Sequence, residues 1–127
     1  MQIDQQYVMK LFRKLETNPT AQDIDYLIEA HAKIGYYAAV AEGEAEQAEA
    51  ERKYNEASSW RDIKLNEPKW TAAQVEAQVY VDNYHFRKTE IKRAEEARKL
   101  NNLLDSVREA INGIKYIGRN GGDVRIG

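Results

Sequence analysis

Residues 66–79 read NEPKWTAAQVEAQV and hold one of the two prolines and one of the two tryptophans of a 127-residue chain. Thr71 followed three positions later by Gln74 is the pattern of a capping box, and Trp70 and Val75 stand where a hydrophobic staple closes around such a cap. Pro68 breaks the helix that precedes. The stretch therefore predicts a corner between two helices, with a turn over residues 67–71.

Upstream of the corner there is no proline from Ala21 to Asn66, and the only glycines are Gly35 and Gly43, which predicts one long helix over residues 20–66. Ile24, Leu27, Ile28, Ile34, Ala38, Ala41, Ala45 and Ala48 form its heptad-like seam. Downstream, a second long helix is predicted over residues 72–117. Leu100, Leu103, Leu104, Val107, Ala110, Ile111, Ile114 and Ile117 give it a strong seam, and Gly118 stands as its stop. At the N-terminus, Ile3, Tyr7, Val8, Leu11, Phe12 and Leu15 recur at steps of three and four and predict a short helix over residues 1–17. Thr17, Asn18 and Pro19 stop it. Two starts for the next helix fit equally: Asn18 capping with Pro19 at the first helical position, or Thr20 capping with Asp23 in the first turn.

The two long segments, 21–66 and 72–117, are both 46 residues long and are joined by five residues, so they can fold back on each other along their whole length. At roughly 1.5 Å per residue each would run about 70 Å. Facing residue numbers then add to about 138, which sets Ile24 near Ile114, Leu27 near Ile111, Ile34 near Leu104 and Ala38 near Leu100. Charge agrees with this register. Residues 42–56 carry six glutamates against Arg52 and Lys53, whereas residues 85–99 carry six lysines and arginines against Glu90, Glu95 and Glu96. Glu46 is expected near Lys92 and Arg93, and Glu51 near Arg87 and Lys88, each exposed pair contributing under about 1 kcal/mol. The expected fold class is all-α: a short N-terminal helix and a long antiparallel helical hairpin in a single domain, residues 1–127. The core seam is Ile24, Leu27, Ile34, Leu100, Leu104, Val107, Ile111 and Ile114. So thin a seam leaves apolar surface near water, which predicts an elongated homo-oligomer of hairpins.

Composition narrows the function. Nineteen basic against twenty-one acidic residues give a net charge of −2, so bulk charge does not make the chain a polycation for nucleic acid; any such binding needs a local patch. The absence of cysteine excludes disulfides and thiolate chemistry. No apolar run approaches a membrane span, and MQIDQQYVMK lacks the layout of a signal peptide, so a cytoplasmic protein is expected. Glu46 and Glu49 begin an E-x-x-E pattern of the kind that holds Mg²⁺ in helical pyrophosphohydrolases, but no aspartate follows a glutamate by three, and a solvated helix face is the expected reading. His31 falls on the seam as a core histidine, and in this register it lies too far from His85 to share a metal. No Ser-His-Asp set, P-loop or dinucleotide fingerprint occurs. GRNGGD, residues 118–123, follows a helix instead of opening one and lacks the helix N-terminus that serves phosphate. Neither an enzyme nor a cofactor is expected.

Two features suit single-stranded nucleic acid. Arg87, Lys88, Lys92, Arg93, Arg98 and Lys99 form a basic run, and Trp60, Arg61, Lys64, Lys69 and Trp70 set two large rings among cations near the corner. Lys115, Arg119 and Arg125 add cations at the end of the chain, where four glycines in the ten residues 118–127 predict a mobile tail that a partner can order. In an oligomer these charges would be multiplied by copy number.

The stretch LLDSVREAINGIKYIGRNGG, residues 103–122, joined to the order short helix, long helix, break, long helix, resembles the UvsY-type recombination mediators of tailed phages and other small helical proteins encoded beside phage single-strand recombination genes. The resemblance implies an oligomer in the host cytoplasm that binds single-stranded DNA and a recombinase without catalysis. It assigns no site residue. The alternatives are a phage inhibitor that docks on a host defence protein, or a structural coiled-coil spacer.

Overall fold

The computed structural model describes residues 2–126, with side chains described through Gly118. Its described residues form helices and turns with no strand: α1 (Gln5–Glu16), α2 (Ile24–Asn66), α3 (Ala72–Asp82) and α4 (Tyr84–Ile126). The all-α hairpin with a short N-terminal helix is the fold of the chain. Contacts cluster into two compact units, residues 1–40 with 98–127, and residues 41–97.

In the first unit Asp4 caps α1 by accepting from the Tyr7 amide at 3.1 Å. Asn18 then takes a left-handed φ of 55°, which asparagine tolerates, and turns the chain. Of the two predicted starts, the structure uses Thr20. Its amide donates to the Asp23 carboxylate at 2.8 Å, and one turn of 3₁₀ helix over Ala21–Asp23 leads into α2. Lys14 pairs with Asp23 at 2.9 Å, and the Asp4 amide meets the Tyr37 hydroxyl at 3.4 Å, so α1 runs antiparallel to the start of α2. Leu11, Leu27, Ala30, Ile34 and Val107 are fully buried there, with Tyr37, Ala38, Leu100, Leu103 and Ile111 nearly so. Leu104 lies over Gly35, in the expected register. Ile24, Leu104 and Ile114 are half-buried.

Three seam positions come out differently. Ile28 is 52% exposed, Phe12 45% and Ile117 70%. Ile28 lies one position beyond buried Leu27, on the flank that the 3.6-residue turn carries away from the contact. Ile117 would face residue 21, where α2 has not yet begun. Nor does Gly118 stop α4, which is helical to Ile126. A glycine stop needs the left-handed conformation, and no described glycine has a positive φ. The expectation of a mobile tail over residues 118–127 falls, past Gly118, on residues whose side chains lie outside those described.

In the second unit the corner forms as its sequence predicts. The Thr71 amide donates to the Gln74 side chain at 2.8 Å, and the Gln74 amide to the Thr71 hydroxyl at 3.2 Å. Trp70 is half-buried and Val75 fully buried on either side of that cap. The predicted single helix over residues 72–117 is instead broken at Asn83. Its backbone sits at φ −112° and ψ 15°, and the Phe86 amide donates three residues back, to the Asn83 carbonyl. The Asn83 side chain competes for helix bonding: its amide donates to the Val79 carbonyl and to the Ser59 hydroxyl of α2, both at 2.9 Å. Asn83 is the one polar residue among the buried ones described, at 4% exposure.

Candidate nucleic-acid interface

The basic run predicted over residues 87–93 divides into committed and uncommitted cations. Arg87 grips Glu56 with two nitrogens, Nε–Oε1 at 2.8 Å and Nη2–Oε2 at 3.3 Å. Arg93 reaches Glu44 and Glu96, each at 3.5 Å. The arginines thus meet glutamates of α2, as opposite charge requires, but at Glu44 and Glu56 and not at the expected Glu46 and Glu51. The offset at Glu56 matches that of the short-side-chain bond between Asn83 and Ser59, so it accompanies the break at Asn83, where a single unbroken helix was expected. A further pair has the reverse polarity: Arg52 of α2 bonds Glu90 of α4 while holding Glu56 at 3.0 Å. The carboxylates of Glu90 and Glu56 raise the Arg52 guanidinium pKa above its ordinary value, against the opposing effect of burial.

Lys88 and Lys92 are different. Both are exposed, and neither has a carboxylate partner among the described residues. With His85 and Thr89 they line an open hollow on one face of α4, where Thr89 donates its hydroxyl to the His85 carbonyl at 3.0 Å. The Lys88 ammonium stands 6.0 Å from the centre of the Tyr84 ring, at the outer edge of cation–π attraction. Tyr84 is 48% exposed and tilts against Tyr80 with ring centres 5.8 Å apart. Tyr84, Lys88 and Lys92 are spaced by four residues and follow one another along one side of α4, and Tyr80 of α3 joins this row through its ring contact with Tyr84. The break at Asn83 falls inside this row, and its bond to Ser59 fixes where α4 starts beneath Tyr84.

The other predicted contacts are placed apart. Trp60 is half-buried beside Val79 and Tyr80 in a groove between α2 and α3. Trp70 sits at the corner, its carbonyl accepting from Lys64 at 3.3 Å, and no described contact joins the two indoles. Arg98, Lys99 and Lys115 are exposed residues of the first unit, and the side chains of Arg119 and Arg125 lie outside those described. Tyr80 and Tyr84 were not singled out by the sequence, which weighed His85 only as a metal ligand. The signal that points to the two tyrosines is the four-residue recurrence of aromatic and lysine residues from Tyr80 to Lys92.

Glu49 pairs with Lys53 at 2.8 Å, which lowers its carboxyl pKa. His31, half-buried, and His85 fall in different units. Among the described residues no three of histidine, aspartate and glutamate come together as a metal-binding set, and no helix is long and apolar enough to cross a membrane. The chain matches no protein-family model, no curated protein and no solved structure.

Proposed function

We propose that this chain is a non-catalytic helical protein that binds single-stranded DNA along Tyr84, His85, Lys88 and Lys92, and that it does so as a homo-oligomer. The observation that carries the reading is the Tyr84 ring, half-exposed, with Lys88 beside it and Lys92 one turn on, both ammonium groups uncommitted. Bases stack on an exposed ring whatever their identity, and ammonium groups one turn apart can follow successive phosphates. Arg87 and Arg93 serve this reading indirectly by holding α4 to α2. By the resemblance to UvsY-type mediators, the second partner is a recombinase.

The test is anisotropy of a labelled oligothymidine titrated at low salt. Binding should weaken as salt rises, with a log–log slope of about −1.4 for two phosphate contacts on a single strand. Tyr84→Ala should weaken it by roughly tenfold or more, the loss of about one stacked base. No binding at low ionic strength removes the DNA reading, and a monomeric mass by light scattering at micromolar concentration removes the oligomer.

A further inference from the structure

A second surface of residues 41–97 has a different chemistry. The groove between α2 and α3 has apolar and aromatic walls in Ala57, Trp60, Val79 and Tyr80, with Lys53 and Glu76 at its rim. Its charges are unevenly committed. Lys53 is held by Glu49 at 2.8 Å, and Arg87 and Glu56 hold each other. Glu76 is exposed and has no hydrogen bond or ion pair among the described residues. The uncommitted charge of an aromatic-walled groove is therefore a carboxylate, the opposite sign to the hollow at Lys88 and Lys92. Tyr80 already carries a guanidinium against its ring, with Arg87 Cζ 5.2 Å from the centre.

We propose that this groove docks an arginine side chain of a partner polypeptide. A guanidinium is planar, stacks on an indole or phenol and pairs in two-pronged fashion with a carboxylate, so Trp60 and Glu76 together select it over an ammonium. A nucleic-acid strand is disfavoured because its phosphates would meet Glu76, while the groove's cations Lys53 and Arg87 are each already paired with a glutamate. Free arginine is disfavoured for the same reason, since its own carboxylate would have no partner, whereas an arginine within a peptide has none to place. The inference does not rest on the DNA reading, whose residues Tyr84, His85, Lys88 and Lys92 do not line this groove.

Trp60 reports on the groove directly. In Trp70→Phe it is the sole indole, and its emission should change saturably when an acetylated, amidated tetra-arginine is added, with affinity at least threefold above tetra-lysine. Glu76→Gln should reduce the tetra-arginine affinity about tenfold. Should Trp70→Phe fail to fold, the Trp60 indole N–H resonance of the unmutated chain gives the same readout. The proposal is overturned if Trp60 does not respond, if Glu76→Gln binds equally well, or if free arginine matches the peptide. It is also overturned if oligothymidine gives the Trp60 response in place of the peptide, or if that response appears on concentrating the protein alone, which would assign the groove to DNA or to a second copy. Loss of oligothymidine binding with the peptide response intact would sink the DNA reading and leave this one standing.

Discussion

Asn83 donates its side-chain amide to the hydroxyl of Ser59 at 2.9 Å, tying α2 to the point where α3 gives way to α4. The bond is part-buried, and the same amide nitrogen also reaches the Val79 carbonyl. Removing the Asn83 side chain takes this donor from the Ser59 hydroxyl and the second of two donors from the Val79 carbonyl, which keeps the backbone amide of residue 83 at 3.0 Å, a loss of about 1–2 kcal/mol. The gain in helix propensity at an alanine offsets about 0.5 kcal/mol of that. Asn83→Ala should therefore lower Tm by roughly 5 °C. A double-mutant cycle with Ser59→Ala should give a coupling near 1 kcal/mol, and additive effects would show that the bond does not hold the junction.

Glu56 is the carboxylate shared by Arg52 and Arg87, and its side chain is 16% exposed. Replacing it with glutamine leaves Arg87 facing a neutral acceptor and Arg52 with Glu90 as its one remaining carboxylate, and should cost about 1–3 kcal/mol in denaturant unfolding. Glu49→Gln breaks only the exposed pair with Lys53 and should stay within about 0.5 kcal/mol. Equal effects from the two substitutions would mean that the shared carboxylate has no special part in fixing the hairpin.

Acid sensitivity has a defined direction. The Thr20 amide, followed by Lys14, holds the Asp23 carboxyl below its ordinary value of 3.8, and Lys53 holds Glu49 below 4.5. A carboxyl depressed by folding contributes stability that is fully present above its unfolded value and is lost as pH falls through its folded value. Tm should thus be level from neutral pH to about 5 and decline below that. Asp23→Asn should start lower and lose less over the acid limb, its curve converging on the unmutated one beneath the folded Asp23 value. Parallel curves throughout would show that Asp23 does not titrate with folding.

The parts of this fold legible in sequence are those whose cause is local or repeated. Thr71 and Gln74 are three residues apart and satisfy each other, so the corner can be read from fourteen letters. The seam can be read because Leu27, Ile34, Leu100, Val107 and Ile111 each repeat one periodicity, and antiparallel register follows from matching large residues to large. The break at Asn83 is not legible, because its neighbours continue the helical pattern and the Ser59 hydroxyl that its side chain reaches lies 24 positions earlier. Gly118 permits a stop without imposing one, and the chain remains helical. At the candidate interface, sequence gives the cations but not their commitments: whether Arg87 or Lys88 is free depends on which faces Glu56 across the hairpin.

Three glycines sit inside helices without needing to be glycine. A methyl group at Gly43 or Gly113 would meet nothing within 4 Å, and at Gly35 it would make ordinary contact with Leu104 at 3.8 Å. None has a positive φ. Alanine at each should stabilise by about 0.5–1 kcal/mol, from the reduced entropy of the unfolded chain and better helix propensity. A loss on Gly43→Ala in a concentrated sample, absent from a dilute one, would mean that this face packs against another copy.

Arg87 and Lys88 are adjacent in sequence and opposite in commitment, so their substitution separates holding the fold from holding a ligand. Arg87→Gln removes a two-pronged grip on Glu56 and should lower stability by about 1–2 kcal/mol while leaving the salt dependence of oligothymidine binding unchanged. Lys88→Gln breaks no ion pair and should leave Tm within about 2 °C. It should also weaken DNA binding and make its log–log salt slope shallower by about 0.7, one phosphate contact on a single strand. The pair is measured by thermal unfolding and by anisotropy at three or more salt concentrations. If Arg87→Gln flattens the salt slope and Lys88→Gln does not, the phosphate contact belongs to the arginine, and its grip on Glu56 must open when DNA arrives.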